Sequence, residues 1–282
     1  MSISTSVLRV GSREIRFGPP MVMGVVNATT DSFSGDGLGE DTRRAIKTGL
    51  DMFAAGAEFV DVGGESTRPG ADNVPADEEI RRTTDIVKQL AGRRPGRVSI
   101  DTMKAEVARE ALEAGASVVN DVNGLRGEGM AEVIAEHDAS VIIMHMQGTP
   151  RTMQKSPNYV DVVADISTFL EDRIAVAEKA GIRADRIMID PGIGFGKNLE
   201  HNLEILTRLR ELRSLGKSIA IGVSKKSFIG KITGSPVDDR LGGSLAAAVL
   251  AAANGANVIR VHDVAETVQA LQVAWSIIQN VG

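Results

Sequence analysis

The sequence of 282 residues contains no cysteine. Without thiols the chain can form neither a disulfide nor a thiolate metal site, and it cannot use a cysteine as a nucleophile. Residues 1–18 also lack the continuous apolar stretch that is typical of a secretion signal. We therefore expect a protein that works in the reducing cytoplasm.

Long apolar runs and a strong excess of charge are missing as well. The longest apolar run, at 245–253, is far shorter than the roughly 20 residues that a membrane-spanning helix needs. A net charge of −5 argues against general binding to nucleic acids or anionic membranes, which favour basic surfaces. A small anionic substrate remains open, because it needs only local positive charge. We expect small-molecule substrates and no nucleic-acid or membrane partner.

Short, continuously apolar runs alternate with segments of helical spacing along the whole chain. Strands that are covered on both faces show such uninterrupted apolar character. Several of the helical segments, among them 202–216, end at a glycine, as helices commonly do, at Gly56, Gly115, Gly181, Gly216 and Gly255. The predicted strands are 21–27, 58–64, 97–101, 117–122, 140–146, 187–190, 218–223 and 258–264.

Eight β-then-α units predict an α/β protein, a closed (β/α)8 or TIM barrel. Residues 1–18 predict an N-terminal β-hairpin that covers the bottom of the barrel. Because no proline- or serine-rich linker divides the chain, we expect a single domain over 1–282. The alternative fold is an open doubly wound sheet, but its G-x-G-x-x-G fingerprint is absent after the first long strand.

Polar residues collect where the predicted strands end. In a barrel these ends converge on one mouth, so the polar residues would share a pocket. They are Asn27, Asp31, Asp61, Glu65, Thr67, Arg68, Asp101, Asn120, Asp121, His145, Gln147, Asp190, Ser224, Lys225, Lys226, Ser227, Arg260, His262 and Asp263.

Each of these residues also has a purely structural interpretation. Asp101 would serve equally well as a helix cap, and Arg68 could pair with Glu65 in an ordinary turn. His145 could be a core histidine whose ring is satisfied by its neighbours. The functional interpretation is favoured because all of these residues fall at the same end of the predicted barrel.

The residue types suggest a flat heterocyclic ligand. Asp101, Asn120 and Asp190 lie on stiff strands and suit the donors and acceptors along the edge of such a ring. Lys226 could bind an exocyclic oxygen, and the guanidinium of Arg260 could stack on the ring face.

A phosphate-bearing group would lie beside this heterocycle. Arg260 and His262 belong to the eighth strand, near the usual phosphate site of such barrels. Ser227 begins a predicted helix, whose free N–H groups attract anions. Asn27 and Asp31 offer oxygen atoms that could hold Mg²⁺ together with phosphate.

In this setting the chain resembles the dihydropteroate synthases, from about residue 21 to its end. The similarity lies in eight motifs that occur in order: NATTDSFS (27–34), DVGGESTRPGA (61–71), SIDT (99–102), NDV (120–122), MHMQGTP (144–150), DPGIGFGK (190–197), SKKSFIG (224–230) and RVHDV (260–264).

This resemblance implies a transferase that joins 4-aminobenzoate to 6-hydroxymethyl-7,8-dihydropterin diphosphate, with Mg²⁺ as cofactor. The products would be 7,8-dihydropteroate and diphosphate, and the protein would be a homodimer. The residues implied at the reacting centre are Asp101, Lys226, Arg260 and His262. Those implied for the pterin are Asp101, Asn120, Asp190, Lys226 and Arg260.

The resemblance also assigns the other two parts of the site. The diphosphate would be bound by Asn27, Arg68, Arg260 and His262, with Asn27 as the metal ligand. The 4-aminobenzoate would be framed by Thr67, Arg68, Pro69, Ser227 and Phe33. Loops 28–39 and 65–75 would fold over the mouth of the barrel.

Two positions depart from the family pattern. Thr30 stands where a proline is usual, and Lys225 stands in the place of an arginine, so the planar fork of a guanidinium is lost there. Two rival functions use similar barrels. One is a methyltransferase that presents a methylated pterin to a corrinoid partner, and the other is a catalytically silent pterin-binding module.

Overall fold

A computed structural model describes residues 7–16, 18–28, 38–67 and 70–280 of the chain. Its strands are β1 (Val7–Val10), β2 (Arg13–Arg16), β3 (Met21–Asn27), β4 (Phe59–Gly63), β5 (Val98–Asp101), β6 (Val118–Asp121), β7 (Ser140–Met144), β8 (Ile187–Asp190), β9 (Ser218–Gly222) and β10 (Val258–Val261). Its α-helices are α1 (Leu38–Ala54), α2 (Ala76–Arg93), α3 (Ala105–Glu113), α4 (Met130–Glu136), α5 (Val162–Lys179), α6 (Leu199–Arg208), α7 (Ser227–Thr233), α8 (Leu241–Ala253) and α9 (Val264–Asn280).

The strands β3 to β10 form a closed parallel barrel, in which β10 returns to pair with β3. Both faces of these strands are buried, which explains their continuous apolar character in the sequence. Outward-facing residues such as Val60, Ile143 and Ile259 pack in one large core with the surrounding helices. The predicted (β/α)8 barrel is therefore confirmed.

Inside the barrel, the inward-facing side chains are apolar at the bottom and polar at the mouth, and the change takes place over two residues of a strand. The floor is apolar and contains Met23, Phe59, Val118, Ile142, Met188, Ala220 and Val258. Two residues further along four of these strands, the same inward face carries Asp61, Asn120, Asp190 and Arg260. The lower half of the barrel thus contributes stability, whereas the upper half can hold a polar ligand.

The N-terminal hairpin closes the bottom of the barrel, as the sequence predicts. Strands β1 and β2 are antiparallel, and Leu8 and Val10 complete the apolar floor. Arg13 on β2 bonds Glu58 at 2.6 Å, just before β4, and so fastens the hairpin to the barrel. Hydrophobic burial and a partly buried ion pair therefore hold this cover in place.

One helical prediction differs from the structure. The spacing of residues 202–216 suggests a single helix, but α6 ends at Arg208 and a 3-10 helix follows over Leu209–Leu215. The tighter winding still buries Leu209 and Leu212 and ends at Gly216, whose φ of 68° is left-handed. Among the helices of the described ranges, none combines the length and apolar character that crossing a lipid bilayer requires.

Candidate active site

Strand register brings the predicted heterocycle ligands side by side. Asp101 on β5 is the direct neighbour of Asn120 on β6, and of Gly63 on β4. Because Gly63 has no side chain, space remains beside Asp101, where an added Cβ would lie 3.5 Å from the Asp101 Cβ. Asp101 and Asn120 are both buried.

Arg260 is the cation at the centre of this group. Its Nη2 donates to Asp101 Oδ2 at 2.6 Å, and its Nε donates to Asp61 Oδ2 at 2.7 Å. Burial lowers the pKa of Arg260, but the neighbouring Asp61 and Asp101 outweigh this effect and raise the pKa above its ordinary value. Burial also raises the pKa of Asp101 to about 7, although Arg260 opposes the shift.

Asp61 ties the two halves of this cluster together. Its Oδ2 accepts from Asn120 Nδ2 at 3.0 Å as well as from Arg260. The carboxylate is fully buried. A single oxygen therefore orients one neutral donor and one cation that both face the pocket.

Asp190 and Lys226 form the opposite side of the pocket. Asp190 Oδ1 accepts from Gly192 N at 2.7 Å. Gly192 has a φ of 70° and lies so close to the carbonyl of His145 that a Cβ would clash, so the loop after β8 requires glycine there. The pKa of Asp190 is raised above its ordinary value, because burial outweighs the opposing effects of the Gly192 N–H and the nearby Lys226.

Lys226 reaches across the loop that follows β8. Its Nζ lies 4.2 Å from the centre of the Phe195 ring, a cation–π contact. Burial lowers the pKa of Lys226 to about 8, although the nearby Asp190 opposes this shift. The described contacts of the Lys226 ammonium are therefore weak, and it can donate a hydrogen bond to a ligand oxygen.

The described residues predicted for the diphosphate and for 4-aminobenzoate lie at the same end of the barrel. The His262 ring lies at the end of β10, where its Nδ1 is 3.1 Å from Ser224 Oγ. Asn27 ends β3 with an exposed side chain, and Ser227 is the first residue of α7. Thr67 is half-buried in the loop after β4.

The structure therefore gathers Asp101, Asn120, Asp190, Lys226 and Arg260 at the C-terminal mouth of the barrel. The other predicted site residues at this end are Asn27, Thr67, Ser227 and His262. Four predicted site residues lie outside the described ranges, namely Asp31, Phe33, Arg68 and Pro69, and so does Thr30 of the first loop.

The purely structural interpretation holds for His145 but not for Asp101. Asp101 bonds Arg260, while the N-cap position of α3 is occupied by Lys104, so Asp101 does not cap that helix. His145 is a satisfied core histidine, because its ring Nδ1 lies 2.9 Å from the Nζ of the buried Lys197. The carboxylate of Glu65 bonds Lys104 at 2.5 Å.

Sequence reasoning missed the roles of Asp61, Glu79, Lys104 and Lys197. Asp61 carries a detectable signal, because a carboxylate in the apolar run EFVDV must find a partner when buried. Glu79 and Lys104 carry no such signal in the sequence, because each stands at the start of a predicted helix, where charged residues are ordinarily exposed. Only the folded chain shows that Glu79 is fully buried.

The fold and the site define a closed (β/α)8 barrel whose mouth carries a cluster of carboxylates and cations suited to a small polar ligand. The chain matches the model of the family described as "Pterin binding enzyme" over residues 23–262. It is 46% identical over 254 residues to the dihydropteroate synthase of Escherichia coli K12, with 90% of each chain covered.

Solved structures agree with this match. Dihydropteroate synthase from Xanthomonas albilineans with 4-aminobenzoic acid has a TM-score of 0.90 and 43% identity, covering 98% of this chain and 99% of that one. The same enzyme in complex with 7,8-dihydropteroate has a TM-score of 0.86 and 41% identity, covering 97% and 98%. The chain belongs to the dihydropteroate synthase family.

Proposed function

We propose that the protein condenses 6-hydroxymethyl-7,8-dihydropterin diphosphate with 4-aminobenzoate, giving 7,8-dihydropteroate and diphosphate. The observation that carries this proposal is the convergence of Asp101, Asp190, Lys226 and Arg260 in one pocket at the mouth of the barrel. The 4-aminobenzoic acid and 7,8-dihydropteroate bound in the Xanthomonas relative support the same substrates.

In this proposal the pterin lies between the two sides of the pocket. The carboxylates of Asp101 and Asp190 accept from the N–H and NH₂ groups of the ring, which gives charge-assisted hydrogen bonds. Asn120 contributes its amide, and Lys226 donates to the exocyclic oxygen. Arg260 lies against the ring, where its planar guanidinium stacks well.

The diphosphate lies at the rim, near Asn27, His262 and Arg260, with Arg68 as a further predicted cation. Within the described part of the chain, Arg260 uses Nε and Nη2 for Asp61 and Asp101, which leaves Nη1 for an anionic ligand. Neutralising the charge that develops on the leaving group favours its departure.

The donor set also fits Mg²⁺, whose binding stays a proposal. The residues that the structure describes contain no cluster of three acidic or histidine side chains suited to a metal. Mg²⁺ commonly takes only one or two protein oxygens and completes its shell with phosphate and water. The exposed carboxamide of Asn27 offers one such oxygen. When bound, the ion would supply positive charge to the diphosphate.

The 4-aminobenzoate would be framed by Thr67 and Ser227, and by the predicted Arg68, Pro69 and Phe33. In the reaction the C–O bond to the diphosphate breaks and the leaving group takes the electron pair. The aniline nitrogen then bonds the pterin methylene carbon and loses a proton to water. No nucleophile from the protein is required, so positioning and electrostatics are the main catalytic contributions.

The direct test mixes purified protein with Mg²⁺, the pterin diphosphate and 4-aminobenzoate, and measures 7,8-dihydropteroate and diphosphate by chromatography. Equal amounts of both products are expected, whereas Asp190→Asn should yield little of either. The exposed Asp172→Asn on α5 is the matched control and should react like the parent protein. Pterin binding without product would instead indicate a catalytically silent pterin-binding module.

We further propose that two copies assemble through α8 and α9. Leu250, Val273 and Ile277 are 61, 57 and 60% exposed, and exposed apolar side chains on adjacent helices favour association. Light scattering after gel filtration should give twice the chain mass. Ile277→Glu should shift the mass toward one copy, and an unchanged mass would contradict this surface.

A further inference from the structure

The loop after β4 is fastened by an ion cluster that the catalytic proposal does not use. Lys104 Nζ donates to Glu65 Oε2 and to Glu79 Oε2, each at 2.5 Å. Glu79 is fully buried, while Glu65 and Lys104 are 8% and 18% exposed. One ammonium therefore joins three segments: the loop after β4, the first turn of α2 and the start of α3.

Glu65 also closes its own loop. Its second oxygen, Oε1, accepts from Val74 N at 3.1 Å, so the carboxylate bridges the two ends of the segment 65–74. Gly64 packs on α2, where an added Cβ would lie 2.8 Å from the Glu79 side chain. Arg82 Nη1 donates to the Gly64 carbonyl at 3.0 Å. The base of the loop is thus bonded on several sides, and Thr67 follows two residues after Glu65.

The cluster depends on the charge of Lys104. Removing the ammonium would leave two carboxylates close together in a poorly solvated place, which is costly. Burial lowers the pKa of Lys104, but the bonds to Glu65 and Glu79 outweigh this effect and raise the pKa above its ordinary value. The lysine therefore stays charged over the pH range in which enzymes work.

We propose that Lys104 is a positioning residue for 4-aminobenzoate, because by joining Glu65 and Glu79 it holds residues 64–67 against α2 and so sets the place of Thr67. This inference rests on the function proposed above. Lys104 follows Asp101 by three residues, so the same short segment supports both halves of the site. The cluster itself holds no ligand and acts only through the loop.

The test measures kcat and the KM of each substrate separately for three variants. Lys104→Met removes the shared cation, and its KM for 4-aminobenzoate should rise about tenfold, while the KM for the pterin diphosphate stays within about twofold. Lys104→Arg can still bond both carboxylates and should restore most of the affinity. Glu65→Gln leaves the Lys104–Glu79 pair intact, so it should fold well and show the same selective rise.

The exposed Lys88→Met on α2 is the matched control and should keep both KM values. Pterin binding, measured by calorimetry, should be unchanged in every variant. The inference is overturned if Glu65→Gln keeps its KM for 4-aminobenzoate, or if both KM values rise together. An inactive parent protein would instead contradict the proposed function itself.

Discussion

Arg260 and Asp61 are 199 residues apart in the chain, yet their side chains are in contact, with Nε 2.7 Å from Oδ2. Closure of the barrel produces this contact, because β10 pairs with β3 and β3 pairs with β4. The same Asp61 oxygen accepts from Asn120. Asp61 has no proposed contact with a ligand, yet its carboxylate orients Asn120 and Arg260, which are both proposed to bind the pterin.

Asp61→Ala should destabilise the protein and weaken pterin binding. It leaves the largely buried guanidinium of Arg260 short of one partner, at a cost of about 3 kcal/mol in the free energy of unfolding. Urea denaturation measures the stability, and calorimetry measures the pterin affinity. The control is Asp51→Ala, whose exposed pair with Lys47 on α1 should contribute less than about 1 kcal/mol. Equal stability losses in the two variants would contradict the role of Asp61.

Pterin affinity should fall as the pH rises through about 8. Burial lowers the pKa of Lys226 to about 8, so the free protein loses the ammonium above that pH and with it the donor to the pterin oxygen. Calorimetry between pH 7 and pH 9.5 measures the effect. Lys226→Met should bind more weakly at every pH and show no corresponding alkaline loss. Titration of the pterin itself affects both proteins equally, so it cancels in the difference between their affinities. Parallel curves of affinity against pH would refute the assignment.

Lys225→Arg should stabilise the protein. Lys225 Nζ lies 3.2 Å from Asp263 Oδ1, while Oδ2 of Asp263 is buried and finds no partner among the described residues. A guanidinium can bond both oxygens, which should add about 1 kcal/mol. Both residues carry a Cβ, so the left-handed φ of 56° at this position affects them alike.

Thermal unfolding measures this gain, which should raise the Tm by about 2 °C. The control is Lys231→Arg on α7, an exposed position where little change is expected. A lower Tm for Lys225→Arg would show that the longer side chain does not fit beside Asp263.

Leu8→Ala should destabilise the barrel without changing its chemistry. Leu8 is 1% exposed and packs in the apolar floor, so truncation should cost about 3 kcal/mol through lost burial and a residual cavity. The KM values should stay unchanged, because the hairpin lies at the end opposite the site. Leu203→Ala, at a position 40% exposed, is the control and should cost far less. Altered KM values in folded Leu8→Ala would contradict this separation of stability from function.

Much of the fold could be predicted because its signals are local. The continuous apolar runs mark strands that are buried on both faces, and glycines such as Gly115 and Gly181, with φ of 110° and 102°, follow helix ends. The helix over 202–216 was predicted incorrectly, because α-helical and 3-10 winding bury nearly the same residues. Spacing alone does not separate them.

The candidate site was only partly predictable. Asp101, Asn120, Asp190, Lys226 and Arg260 could be named because each follows or ends an apolar strand. Their pairing could not, since it depends on strand register and on the tilt of the barrel. The bonds of Lys104 to Glu65 and Glu79 join three segments that no local pattern connects.

By itself, the sequence determined the order of strands and helices, the hairpin cover, and the placement of polar residues at the strand ends. These features follow from the period of side-chain burial along a strand or a helix, which is a property of neighbouring residues. Only the tertiary structure decided that Asp61 holds Arg260 and Asn120 and that Lys104 fastens the loop after β4. Such contacts depend on which distant segments are brought within bonding distance when the barrel closes.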